Sequence, residues 1–143
     1  MSVLSTSEAV DAARLRLALS RVVRALRRQG ASTLSATQVS ALSTIEDLGP
    51  LRISAIAAQE SLGAPAATRV VADLEAQGLV ERTIDPIDKR ASLIELSALG
   101  RATMSDLWSQ RTLEMNRMLD KLTPKERATI EAALPALEKI ARD

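Results

Sequence analysis

The stretch that decides the fold spans residues 64–97 and reads APAATRVVADLEAQGLVERTIDPIDKRASLIELS. Its first part carries apolar residues at the i, i+3, i+4 and i+7 positions of one helical face, which predicts a helix over residues 64–77. Gly78 ends that helix, and two short strands are predicted over residues 79–83 and 91–96. The segment between the strands contains Asp-Pro, which is typical of turns, and is charged at its tip. The stretch therefore predicts a helix followed by a β-hairpin.

Upstream of this stretch, three more helices are predicted, over residues 8–28, 35–48 and 53–60. Gly30 is expected to end the first of them. Ser35 and Gln38 begin the second at the spacing of a capping box. A short turn follows the third, and Gly63 in that turn can act as the N-cap of the next helix. Helix, tight turn and helix thus precede the hairpin directly.

Downstream, Ser97 is predicted to begin a long helix that reaches about Leu122. The run Thr123-Pro124-Lys125-Glu126 has the spacing of a second capping box and starts a last helix. Pro135 lies inside this last helix and lacks an amide hydrogen. We therefore expect it to kink or break the helix near Glu131.

The composition of the 143 residues indicates one soluble globular domain, with 46% apolar and 26% charged residues. Met1–Ser7 are small and polar, and we expect them to be disordered. The chain has no Cys and no His, which excludes disulfides, the usual zinc sites and His-based catalytic triads. No cofactor or metal is predicted.

No apolar run approaches the roughly 18–20 residues that span a bilayer, and the N-terminus lacks the features of a signal peptide. These features predict a cytoplasmic protein that makes no use of a membrane. The net charge is +1, but residues 50–101 carry six basic and seven acidic groups. Any affinity for DNA must therefore come from the placement of a few Arg and Lys side chains rather than from a basic average.

Two helices joined by a tight turn, with a hairpin beside them, form the arrangement of a winged helix-turn-helix. The second helix can lie in the major groove of DNA while the first crosses the backbone. The hairpin, or wing, can then contact neighbouring phosphates or the minor groove.

The chain resembles the MarR family of bacterial transcription regulators. The resemblance is carried by Ile56-Ala57, by the runs Thr68–Arg82 and Asp85–Arg90, and by Leu96-Ser97-Ala98-Leu99-Gly100. The spacing Asp88-x-Arg90, five residues, then Leu96-Ser97 is similar to the family's wing signature. The segments lie in register over nearly the whole chain.

Four residues depart from the family pattern. Gly63 replaces the usual hydroxyl cap of the second helix of the helix-turn-helix, and Arg52 stands where a Ser or Thr often caps the helix before it. Glu60 occupies a commonly apolar position, and Pro135 is unusual in the last helix. The first two departures leave the starts of these helices less firmly capped.

The resemblance implies a mainly α fold with a small β-hairpin wing, a winged helix-turn-helix flanked by N- and C-terminal dimerisation helices. The DNA-binding domain is expected over residues 35–97, and the helical dimerisation region over residues 1–34 and 98–143. The family further implies a homodimer that binds double-stranded operator DNA, by family default as a repressor. A small aromatic or anionic ligand is expected to release it.

The outward face of the predicted helix over residues 64–77 offers four candidate DNA contacts. Arg69 can reach guanine or phosphate, Thr68 can reach a phosphate or a base edge, and Pro65 and Ala66 can meet thymine methyl groups. The alternative interpretation is a solvated face on which Arg69 pairs with Asp73 four residues further on.

The predicted wing offers three further candidates, Asp88, Lys89 and Arg90. By the resemblance, Arg90 enters the minor groove and Asp88 holds the loop. Lys89 is a candidate for a generic phosphate contact. The alternative is a surface Asp–Arg pair that stabilises the turn and contributes only about 0–1 kcal/mol. The two interpretations are compatible.

Two features outside these segments admit alternatives. The Arg-rich first helix can form a solvated face near the dimer interface, which we favour, or a surface for phosphates or a membrane. Trp108 and its neighbouring Met residues can pack in the core or the dimer, which we favour, or line a ligand cavity. Arg14 or Arg111 could then pair with a ligand carboxylate.

Two other functions were weighed against DNA-binding regulation. A winged helix can serve as a scaffold for protein interaction without selective DNA binding. An enzyme would have to use Glu81, Asp85 and Asp88, which no activated nucleophile or metal set accompanies. Both are weaker than the regulator hypothesis.

Overall fold

The computed structural model describes residues 9–29 and 33–142. The elements in chain order are α1 (Ala12–Gln29), α2 (Ala36–Leu48), α3 (Ile53–Gln59), α4 (Ala64–Ala76), β1 (Val80–Ile84), β2 (Ser92–Leu96), α5 (Ala98–Leu119) and α6 (Pro124–Ala141). The predicted mainly α fold with one hairpin is confirmed. The predictions for Met1–Ser7 and for a helix end at Gly30 lie outside the described residues.

The chain divides into two compact units, one within residues 31–109 and the other within residues 1–30 and 110–143. The predicted functional boundaries, at residues 35–97, rest on the family resemblance and stay a prediction. None of the helices in the described ranges is both long and apolar enough to cross a membrane.

The core of the first unit is formed by buried apolar side chains from α2, α3, α4, both strands and the first half of α5. Its largest fully buried members are Leu42, Ile45, Ile56, Val71, Leu74, Ile94 and Met104. On α4, Val71 and Leu74 lie in this core and Val70 packs against it half-buried, as the helical spacing predicts. The opposite face of α4 is therefore left to solvent, which is the orientation that a DNA-reading helix requires.

The two strands pair antiparallel, with Val80 opposite Leu96 and Ile84 opposite Ser92. Each strand begins one residue later than predicted. The Leu79 amide donates to the Leu74 carbonyl at 3.0 Å, so Leu79 still belongs to the end of α4. A third segment joins the hairpin, because Leu51 and Ile94 exchange backbone hydrogen bonds of 2.9 and 2.7 Å. The base of the wing is thus fixed to the chain just before α3.

The start of α5 is locked against the turn between α4 and β1. The Ser97 hydroxyl donates to the Gly78 carbonyl and accepts from the Gly100 amide, at 2.5 and 2.9 Å. Gly78 has a φ of +76°, which glycine adopts without strain. A Cβ on Gly100 would lie 2.0 Å from the Leu79 carbonyl oxygen. The run Ser97-Ala98-Leu99-Gly100 therefore needs both its hydroxyl and its glycine to let α5 approach this turn.

Predicted helix caps are present at three positions. Ser35 with Gln38 and Thr123 with Glu126 each form the full, reciprocal capping box. Gly63 is the N-cap of α4, with no side-chain hydrogen bond to the helix. The starts of α2, α4 and α6 could thus be predicted from local sequence.

In the second unit, α1 begins at Ala12, four residues later than predicted. The reason is Asp11, whose carboxylate accepts the Arg14 amide at 3.1 Å and so caps the helix. The long helix α5 ends at Leu119 rather than near Leu122. There the Lys121 and Leu122 amides turn back to carbonyls three residues earlier, and the Arg127 guanidinium donates to the carbonyls of Leu119 and Leu122.

Pro135 does not break α6, which continues from Pro124 to Ala141 with Pro135 inside it, so the predicted break is wrong. The predicted kink near Glu131 stays a prediction. Proline removes one helical hydrogen bond, the one that the Glu131 carbonyl would accept. Glu131 is exposed, so water can satisfy that carbonyl, and the bonds on either side keep the helix together.

Candidate nucleic-acid interface

The second helix of the helix-turn-helix, α4, presents a sparse polar face. Pro65, Thr68 and Arg69 are exposed, and Ala66 is half-buried. Arg69 makes no ion pair in the part of the chain that the structure describes, so the alternative pairing with Asp73 is absent. The guanidinium of Arg69 is therefore available to a phosphate or a base edge. The four residues lie together on the first two turns of α4.

The tip of the wing is organised by Asp88. Its Oδ1 atom accepts the backbone amide of Arg90 at 3.1 Å and the Arg90 Nε at 3.3 Å. The Arg90 side chain is nevertheless 93% exposed, and Lys89 is exposed beside it. Asp88 thus fixes the backbone and the base of the Arg90 side chain, while most of the guanidinium still faces solvent.

A second carboxylate, which sequence reasoning did not single out as a DNA-site residue, holds the other end of the loop. Asp85 Oδ1 accepts the Ile87 amide at 2.8 Å, and Oδ2 accepts Arg52 Nε and Nη2 at 2.9 and 2.6 Å. Asp85 is only 5% exposed. The Ile87 amide first, and then the Arg52 guanidinium, hold the pKa of Asp85 below its usual value.

The sequence contained two signals for this contact. Asp85 precedes a proline, where an Asp side chain commonly turns back to a nearby backbone amide. Arg52 occupies a cap position at which an arginine cannot cap, and the structure confirms that it makes no side-chain cap on α3. Neither signal identifies the other residue as its partner, because 33 positions separate them.

Of the three carboxylates weighed as an enzyme site, Glu81 is exposed on β1. Asp85 and Asp88 are hydrogen-bonded within the wing. No group of three or more Asp or Glu in the described ranges could hold a metal ion.

A helix-turn-helix whose second helix exposes Thr68 and Arg69, beside a hairpin that exposes Lys89 and Arg90, is a winged-helix DNA-binding domain. Both elements place positive or hydrogen-bonding groups toward solvent. The packed core holds α4 in position, and the carboxylates of Asp85 and Asp88 hold the wing loop.

Comparisons with known proteins agree with this class. The MarR family model matches residues 34–92. An uncharacterised HTH-type transcriptional regulator from Mycobacterium bovis is 34% identical over 128 residues, covering 89% of this chain and 90% of the relative. A mutant MarR from E. coli has a similar structure, with a TM-score of 0.77 and 25% identity, over 91% of this chain and 98% of that one. A Mycobacterium tuberculosis structure shares the fold, with a TM-score of 0.79 and 22% identity over 94% and 97% of the two chains.

The chain belongs to the MarR family. It is a DNA-binding transcription regulator, and the comparisons do not favour a protein-interaction module. The individual roles of Pro65, Ala66, Thr68, Arg69, Asp88, Lys89 and Arg90 stay predictions, which the geometry above makes specific.

Proposed function

We propose that the protein is a homodimeric, sequence-selective repressor that places α4 in a major groove and Arg90 in the adjacent minor groove of its operator. The observation that carries this proposal is the wing tip, where Arg90 is 93% exposed while Asp88 holds its backbone amide and its Nε. An arginine presented in this way can enter a narrow minor groove, whose negative potential attracts it.

The proposed dimer uses the helices of residues 1–34 and 98–143. Their apolar residues support this proposal, because α6 buries none of its residues in the single chain. The exposed large apolar side chains of these helices include Leu17, Leu19, Val23, Leu113, Ile130, Leu134 and Ile140. A second copy would remove such surface from water. Two-fold symmetry would then make the operator a pseudo-palindrome with half-sites about one helical turn, ~10 bp, apart.

We further propose that a small anionic, commonly aromatic, ligand regulates the dimer. Burial first, and then the charge of Arg27, lower the pKa of Arg111 from its ordinary value. A ligand carboxylate would form a charge-assisted hydrogen bond to one of the guanidinium groups here. The ligand would release DNA only to the extent that it binds the released state more tightly than the DNA-bound state.

The test is fluorescence anisotropy with a labelled duplex from the region upstream of the protein's own gene. The control is a scrambled duplex of the same length and composition, and both are measured at several salt concentrations. Sequence-selective binding at every salt concentration, and its loss when 5 bp are inserted between the half-sites, is the expected result. Equal affinity for both duplexes at every salt concentration would remove the proposal.

A further inference from the structure

We infer that the Arg52–Asp85 pair is a positioning device that holds the wing loop against the start of the helix-turn-helix, so that Arg90 meets DNA in a fixed place. Arg52 is on this account a positioning residue and makes no essential contact with DNA itself. The inference rests on the proposed role of Arg90 at the operator.

The geometry places one carboxylate between two elements. Arg52 is the N-cap residue of α3, and its backbone carbonyl accepts the Ile56 amide at 3.1 Å, while its side chain leaves the helix. That side chain makes two hydrogen bonds to Oδ2 of Asp85, the residue directly after β1. The other oxygen of Asp85 holds the Ile87 amide. The start of α3 is thereby connected through a single side chain to the backbone of the wing loop.

The loop has little else to hold it. In the described ranges, Arg52 is the one side chain outside residues 85–91 that hydrogen-bonds to them; the remaining bonds of the loop are local. The bridge between Leu51 and Ile94 fixes only the base of the hairpin. Without Arg52 the loop keeps its internal turns but loses its connection to the helix-turn-helix.

The burial of Asp85 makes its ion pair with Arg52 important for the position of the loop. Asp85 is 5% exposed, so loss of Arg52 leaves a largely desolvated carboxylate without its counter-charge, which the loop can relieve only by moving toward water. Arg52 is 44% exposed in its side chain, but its Nε and Nη2 atoms are directed at Asp85. Its charge is therefore largely compensated before DNA arrives.

The chain offers a matched control. Arg82 and Glu75 also join the wing to the helix-turn-helix, from β1 to α4, with 2.7 Å between Arg82 Nε and Glu75 Oε2. Both side chains of that pair are exposed, by 36% and 41%, and exposed pairs of this kind stabilise little. Arg82→Ser removes the same charge and the same kind of contact without uncovering a buried carboxylate.

The first experiment is a double-mutant cycle on DNA affinity. Arg52→Ser suits it because serine can cap α3 and so protects the fold. Using the upstream duplex described above, Arg90→Ala should weaken binding roughly tenfold or more in the wild-type background. It should weaken binding less than about threefold in the Arg52→Ser background, since a displaced wing no longer delivers Arg90. In the Arg82→Ser background, Arg90→Ala should weaken binding by the same factor as in the wild-type background.

An equal cost of Arg90→Ala in the wild-type and Arg52→Ser backgrounds would overturn the inference, and would make Arg52 an independent DNA contact or a bystander. If Arg52→Ser melts early, Asp85→Asn replaces it, because the asparagine oxygen can still accept the Ile87 amide while the charge is lost. The same loss of additivity is expected.

The second experiment needs no DNA and separates failure of the inference from failure of the proposed function. Amide hydrogen exchange of the free protein should speed up several-fold at Ile87 and Ala91 in Arg52→Ser and remain at the wild-type rate in Arg82→Ser. If the wild type binds no duplex selectively but this exchange pattern appears, the repressor proposal fails while the positioning device stands. Unchanged exchange at both amides would overturn the device whatever the DNA result.

Discussion

The helix α4 and the wing, the two proposed DNA-contacting elements, are held in position in different ways. The helix is fixed by its buried face and exposes few polar groups, chiefly Thr68 and Arg69, and its first turn has no side-chain cap. The wing has almost no core of its own at its tip, where two aspartates accept five hydrogen bonds from the loop and from Arg52. Packing positions the helix, whereas buried and half-buried carboxylates position the wing.

This difference explains how the segment that contains the winged helix-turn-helix can carry a slight excess of acidic residues. Between residues 50 and 101 there are seven acids and six basic groups. Three of those acids form ion pairs with arginines, namely Asp85 with Arg52, Glu75 with Arg82 and Asp88 with Arg90. Asp85 and Asp88 hold the wing loop through these contacts, so net charge is a poor guide to this surface.

The largest effect is expected from Gly100→Ala, which disturbs the helix and the wing together. The new Cβ would stand 2.0 Å from the Leu79 carbonyl oxygen, at the turn that ends α4 and starts β1. Backbone must move, at a cost of about 1–3 kcal/mol or more in the free energy of unfolding. Thermal unfolding measures it.

The control is Gly63→Ala, where the nearest atom, Pro65 Cδ, is 3.9 Å away and the loss should be much smaller. If Gly100→Ala melts like the control, the close approach of α5 to this turn is not a constraint in solution.

A smaller effect on stability, which depends on pH, is expected from Asp85 in the wing. Because the pKa of Asp85 is lowered on folding, its stabilising contribution is fully present above the ordinary value of 3.8 and is lost as the pH falls through the lower, folded value. The melting temperature of Asp85→Asn should therefore lie below that of the wild type at pH 7. The gap should close as the pH falls below 3.8. A gap that is constant from pH 7 to pH 3 would show that the charge of Asp85 is not what matters.

The smallest effect is expected at the start of α4. Gly63 already has the extended backbone of an N-cap, with φ −68° and ψ 157°. Gly63→Ser adds a hydroxyl that can accept an amide of the first turn, which should raise stability by a few tenths of a kcal/mol. Urea unfolding at matched conditions measures this, and a decrease in stability would mean that the added side chain disturbs the entry to α4.

Features with a local cause could be predicted from the sequence. The capping boxes at Ser35 and Thr123 each depend on residues three positions apart, and both formed as expected. The buried face of α4 and the hairpin also followed from spacing, with strand ends displaced by one residue. The predicted start of α1 is four residues too early, because Asp11 caps the helix.

Features with a distant cause could not be predicted. The Arg52–Asp85 pair joins positions 33 apart, and only the folded core brings α3 beside the end of β1. The continuity of α6 through Pro135 depends on the exposure of Glu131, which the helical pattern alone does not give. For the DNA contacts, the sequence supplied candidate residues by resemblance, and the structure supplied the bonds that hold the wing candidates in place.

Because hydrogen bonds order the backbone at its tip, we expect the wing to contribute more to operator affinity than the polar face of α4. The most direct measurement compares Arg90→Ala with Arg69→Ala, each the loss of one exposed guanidinium, by anisotropy on the same upstream duplex at one salt concentration. We expect a roughly tenfold to hundredfold loss for Arg90→Ala, and a smaller loss for Arg69→Ala. Dimer mass and melting temperature should be unchanged in both. A larger loss from Arg69→Ala than from Arg90→Ala would show instead that α4 contributes more to operator affinity than the wing.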